Sequence, residues 1–116
     1  MTPIQTWLKN MRQIWLEKRP NDIADLLADT LEYHESPTEP PLLTKQEIVD
    51  AWQEIKGQNI EYVEINILSE TTDTGMAQWI FKMKNEPEHI GAYFLKLDNH
   101  GKCVHFRQWW NVKESD

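Results

Sequence analysis

Residues 76–84 read MAQWIFKMK, and this stretch decides the fold. Ala77, Trp79, Phe81 and Met83 fall on one face, with Gln78, Lys82 and Lys84 on the other. That is the two-residue period of a strand with one face buried. Working outward, residues 60–69, 89–98 and 102–112 carry the same alternating or β-rich patterns. The joints Thr71–Gly75, Asn85–Glu88 and Asn99–Gly101 are each short enough for a hairpin. Four strands are therefore expected in an antiparallel meander.

Upstream the period changes. Ile4, Trp7, Leu8, Met11, Ile14 and Trp15 recur at helical spacing, so residues 2–18 are expected to form an amphipathic helix with Pro3 in its first turn. Asn21 is a suitable N-cap for a short second helix burying Ile23, Leu26 and Leu27. After Asp29, Leu31 and Tyr33 alternate with Glu32 and His34, a short strand that ends at Ser36 and Pro37. Three prolines (Pro37, Pro40, Pro41) keep Ser36–Leu43 irregular. Thr44 with Glu47 reads as a capping box for a third helix, with Ile48, Ala51, Trp52 and Ile55 on one face and Gly57 at its end. Helices segregated from an antiparallel sheet define an α+β class, here as one domain over residues 1–116.

Composition narrows the function. Nineteen acidic against twelve basic residues give a net charge of −7, a field that disfavours nucleic acid and anionic membranes as partners. The single cysteine, Cys103, excludes a disulfide framework and fits a reducing compartment. No apolar run is long enough to span a bilayer, and Trp7, Lys9, Asn10 and Arg12 interrupt any signal-peptide pattern. A cytoplasmic, soluble domain is expected. The four histidines are scattered in sequence, and His34-Glu35 lacks the helical HExxH spacing, so no metal is expected. With no glycine-rich phosphate loop and no Gly-x-Ser-x-Gly elbow, nucleotide and serine-hydrolase chemistry are disfavoured, and no cofactor is expected.

Three segments in this order resemble the nuclear transport factor 2-like superfamily, in its SnoaL-like branch with the ketosteroid isomerases and polyketide cyclases. They are Ala24-Asp25-Leu26-Leu27-Ala28-Asp29, Tyr33 to Pro40 followed by Lys45 to Trp52, and Gly91 to Lys102 followed by Phe106-Arg107-Gln108-Trp109-Trp110. The family's common glycine before the third helix is replaced by Leu43-Thr44. The resemblance implies a cone: a strongly curved antiparallel sheet wrapped around helices, with a pocket at its wide end. It also implies a homodimer through the outer sheet face, where Ile80, His105, Arg107 and Trp109 are expected.

Parity and resemblance together single out Glu35. It shares the parity of Leu31 and Tyr33, and falls near the position of the isomerases' general base; the alternative is a strand-end carboxylate in water. Tyr93 falls near their oxyanion-binding acid, and a phenol donates the same kind of hydrogen bond; the alternative is a core tyrosine. The final strand alternates Val104, Phe106, Gln108 and Trp110, inward by resemblance, against Cys103, His105, Arg107 and Trp109. Gln108 then offers a neutral hydrogen bond, and Arg107 faces outward or turns in toward an anion. Trp15, Tyr33, Trp52, Trp79, Phe106 and Trp110 are expected to wall a ligand pocket, or simply to fill the core. The first helix carries Trp7 and Trp15 where the isomerases use a tyrosine, which argues against ketosteroid isomerisation itself.

Two functional classes stand. One is a cofactor-independent acid–base isomerase, cyclase or lyase acting on an apolar small molecule through Glu35, Tyr93 and Gln108. The other is a non-catalytic module that binds an apolar or amine ligand, or a dimeric interaction domain.

Overall fold

Order begins at Thr2, whose hydroxyl accepts the Gln5 amide hydrogen at 3.1 Å while the Gln5 side chain accepts from the Thr2 amide at 3.2 Å. This reciprocal cap starts helix α1 (Pro3–Leu16) in a computed structural model that describes residues 1–113. Ile4, Trp7, Leu8, Met11, Ile14 and Trp15 all lie on its buried face, as their spacing predicts. The second expected helix is instead a 3-10 segment, Pro20–Leu26, preceded by Arg19 with no side-chain cap. Seven residues cannot sustain a stable helix here, because Leu27 is already extended. Leu26 is only partly buried, and its carbonyl accepts the Trp7 indole hydrogen at 2.8 Å.

Strand β1 (Leu27–His34) is longer than its alternation suggested, starting four residues before Leu31. Helix α2 (Lys45–Trp52) is capped by Thr44, which accepts the Glu47 amide hydrogen at 3.1 Å, and then tightens into a 3-10 turn over Gln53–Gly57. The meander follows as β2 (Ile60–Glu70), β3 (Thr74–Met83), β4 (His89–Leu97) and β5 (Cys103–Val112). Its strands pair antiparallel in chain order, and the sheet runs β1-β5-β4-β3-β2. The antiparallel meander is as expected, and the short strand joins it at one edge: β1 pairs with β5 in parallel, with Tyr33 opposite Phe106. The chain can make that pairing because everything between the two strands acts as one long crossover. The fold is an α+β cone whose curved, unclosed sheet packs its concave face on α1. No helix among the described residues is long and apolar enough to cross a membrane.

One parity assignment fails. Cys103, placed on the outer face by simple alternation, is fully buried in the core. Lys96 pairs with His105 but Leu97 pairs with Cys103, so the register slips around Val104. The bulge reverses alternation for the start of β5 and leaves Phe106 onward in the expected phase. Burial pushes the Cys103 thiol up to about 12, which makes it unreactive near neutrality.

Gly91 on β4 sits between Trp79 on β3 and Trp110 on β5. A Cβ there would lie 2.5 Å from the Trp79 ring and would overlap the Trp109 carbonyl oxygen. The indole therefore lies flat across the strand, a position it can reach only over glycine. Gly91→Ala should cost about 1–3 kcal/mol or more through forced displacement of that ring. Denaturant unfolding checks this, with a lowered midpoint and changed near-ultraviolet tryptophan dichroism as the expected result.

Candidate functional site

Three of the tryptophans commit their single donor to a protein partner. Trp7 bonds to the Leu26 carbonyl, Trp15 donates to the Gln58 side chain at 2.8 Å, and Trp52 donates to the Tyr33 hydroxyl at 3.0 Å. Rings tethered this way cannot collapse inward. A cavity of about 420 Å³ opens between α1, α2 and the concave face of the sheet. That is within the ordinary range for small-molecule sites.

The aromatic wall is continuous. Tyr33 stacks on Phe106 with ring centres 4.7 Å apart and planes 8° from parallel, a direct result of the β1–β5 register. Phe106 leans on Tyr93 at 5.0 Å, and Tyr93 stacks on Trp79 at 5.7 Å. Trp15 meets Phe81 at 4.7 Å and Trp52 edge-on at 6.3 Å. Trp110, about half exposed, stands at the mouth beside His89. The structure thus brings Trp15, Tyr33, Trp52, Trp79, Tyr93, Phe106 and Trp110 onto one cavity.

Glu35 follows the last residue of β1 and reaches the same cavity, half-buried. No hydrogen bond engages its carboxylate among the described residues. Burial, followed by the nearby charges of Glu54 and Glu39, holds its pKa above the usual glutamate value. Gln108 takes a different part from the one its parity suggested. Its amide donates to the Glu35 main-chain carbonyl at 3.0 Å, across the β1–β5 pair. It anchors the backbone that carries Glu35 while still lining the cavity.

Tyr93 lines the cavity from the sheet. It is 3% exposed, and no hydrogen bond engages its hydroxyl among the described residues. Burial and the neighbouring Tyr33 raise its pKa well above the ordinary value, so it stays a neutral phenol. Trp79 Nε1 and His89 Nδ1 are buried without partners, and both residues line the cavity. An unpaired buried donor costs roughly 1–3 kcal/mol, which a ligand supplying an acceptor would recover.

Sequence reasoning missed Glu39, Glu54 and His89 as cavity residues. Glu54 turns to the mouth because α2 tightens to 3-10 geometry one residue before it, and Glu39 lies in the proline-rich loop, which has no period to read. The histidines are also less scattered than the sequence suggests. On the other face of the β1–β5 pair, His34 Nε2 and His105 Nδ1 lie 3.2 and 3.7 Å from Glu32 Oε2. Arg107 completes that cluster, donating to His105 Nε2 at 2.7 Å, and so does not turn into the cavity.

No protein-family model matches the chain, and no curated protein matches it in sequence. Its structure is similar to many solved ones. An NTF-2 like protein from Burkholderia xenovorans LB400 superposes with a TM-score of 0.77 at 16% identity, over 98% of this chain and 87% of the other. A steroid delta-isomerase from Pseudomonas aeruginosa gives 0.75 at 12% identity, over 96% and 81%. A Mycobacterium tuberculosis protein in complex with estradiol-17beta-hemisuccinate gives 0.76 at 14% identity, over 96% and 95%. The fold is that of the NTF-2 like proteins. Identities this low establish the fold and leave the chemistry to the site.

The raised Glu35 pKa has a consequence for stability. Folding favours the protonated carboxyl, so its contribution is fully present below the unfolded pKa and is lost as pH rises through the folded one. At neutral pH the ionised side chain is a liability. Glu35→Gln should therefore melt higher than the parent at pH 7, with the difference vanishing toward pH 4. Thermal melts across that interval check the sign.

Proposed function

We propose that this chain is a cofactor-independent acid–base enzyme, an isomerase or lyase acting on a small, largely apolar carbonyl compound. The observation that carries the reading is a pair of groups with no protein partner on one aromatic-walled cavity. One is a half-buried carboxylate whose proton affinity is raised; the other is a buried neutral phenol. Glu35 takes a proton from the carbon next to the carbonyl, and the electron pair of that C–H bond moves onto oxygen. Tyr93 donates its hydrogen bond to the oxygen as negative charge develops there. The proton then returns to another carbon, or a group on the neighbouring carbon departs with its electron pair. In the first case the proton leaves Glu35 for carbon and in the second the departing group takes it, so both outcomes regenerate the carboxylate, and neither calls for an electron carrier.

The surroundings suit these roles. A raised pKa makes Glu35 a stronger base than an exposed glutamate. Gln108 holds the Glu35 backbone, which limits the loss of alignment that a flexible base would suffer. The large indole and phenyl surfaces exclude water from the reacting carbon.

With a substrate in hand, the rate should rise with pH through the Glu35 pKa and then level. Glu35→Gln should lower it on the order of a hundredfold or more and abolish that acid limb. Tyr93→Phe should lower kcat by roughly ten- to a hundredfold, with a smaller effect on KM. A turnover rate indifferent to Glu35→Gln would leave the cavity as a binding site only.

A further inference from the structure

Charge is distributed unevenly around the cavity. Glu35, Glu39 and Glu54 all line it, and none of the lining residues is lysine or arginine. The Glu54 and Glu39 charges both act on Glu35, so the three carboxylates share one region. Opposite charges are available nearby in sequence, yet Lys45 pairs instead with Asp29 at 3.1 Å. Aromatic rings line the same cavity: Trp52, the last residue of α2 and two before Glu54, and the half-exposed Trp110. Deeper in, Trp79 Nε1 is buried without a partner, and the Tyr93 hydroxyl makes no hydrogen bond among the described residues, both on side chains more than nine-tenths buried. The cavity therefore has an anionic, aromatic outer part and a neutral inner part that offers hydrogen bonds to an oxygen.

We infer that the ligand of this cavity is a cationic amine, with its ammonium held by Glu39 and Glu54 and its apolar body, bearing a carbonyl oxygen, directed inward to Glu35 and Tyr93. This inference rests on the acid–base reading for the carbonyl end, and the charge arrangement supplies the amine. A protonated or quaternary ammonium satisfies the carboxylates and places its positive face against indole rings, which suits a cation far better than a neutral group. A mouth lined by one sign of charge also draws in ions of the other. An anionic ligand would face three uncompensated carboxylates. A purely apolar one would leave them crowded and unpaired.

Binding of 2-phenylethylammonium and of 2-phenylethanol, followed by tryptophan fluorescence at pH 7.5, tests this directly. The two probes share size and ring and differ in charge. The ammonium should bind about tenfold or more tightly than the alcohol, with affinity falling as salt is raised. The exposed pair Glu39→Gln and Glu54→Gln should remove most of that preference while leaving alcohol binding and thermal stability nearly unchanged. Equal affinity for the two probes, or a preference that survives both substitutions, overturns the inference. The two readings fail separately. A preference for the ammonium with no effect of Glu35→Gln on turnover removes the base and keeps the amine. Equal probe binding with a Glu35-dependent acid limb removes the amine and keeps the base.

Discussion

Strand β1 joins the sheet at its far edge, hydrogen-bonded in parallel to β5, and the site depends on that pairing. Two parallel strands cannot be closed by a hairpin, and α2 and the first three strands of the meander all lie in the chain between β1 and its partner. The register then does three things together. It sets Tyr33 against Phe106 as the inner wall, and brings Gln108 to the main chain of Glu35. On the outer face it gathers Glu32, His34 and His105. Because side chains alternate along a strand, a one-residue slip would send Tyr33 outward and His34 inward. The catalytic carboxylate proposed above is thus placed by backbone pairing more than by its own side-chain contacts.

The cavity persists for a related reason. A small cone lined with large rings would gain free energy by closing on itself, since each buried aromatic carries much apolar surface. Here Trp15 and Trp52 are held back by hydrogen bonds to Gln58 and Tyr33, and Trp79 is laid across Gly91 with no space to turn. Collapse would break those bonds or displace backbone. The unsatisfied Trp79 and His89 nitrogens and the raised proton affinity of Glu35 are destabilising features of the same kind. Concentrated at one place, they mark where folding stability and ligand recognition compete.

Much of this was legible in the residues themselves. The two-residue period of Ala77, Trp79, Phe81 and Met83 and the helical spacing from Ile4 to Trp15 reflect a single buried face in each element, which local sequence reports well. Glu35 shares the cavity side with Tyr33, as their parity predicts, although it lies one residue beyond the end of β1. What escaped was non-local or irregular. The parallel partner of β1 lies some seventy residues away in the chain, and no turn residue announces it. The bulge near Val104 that buries Cys103 depends on how β4 and β5 meet. Glu39 and Glu54 come from a proline-rich loop and a 3-10 turn, where neither period applies, so the acidic mouth was invisible until the elements were assembled.

The account turns on whether the Glu35 carboxylate sits partly desolvated on this cavity beside two other acids. Carbon-detected NMR titration of the side-chain carboxyls, with Glu35 assigned through its Gln variant, measures this without a substrate. A Glu35 titration midpoint clearly above the usual glutamate range, moving down when Glu54 is neutralised, is the predicted result. A midpoint within that range and insensitive to Glu54 would contradict it.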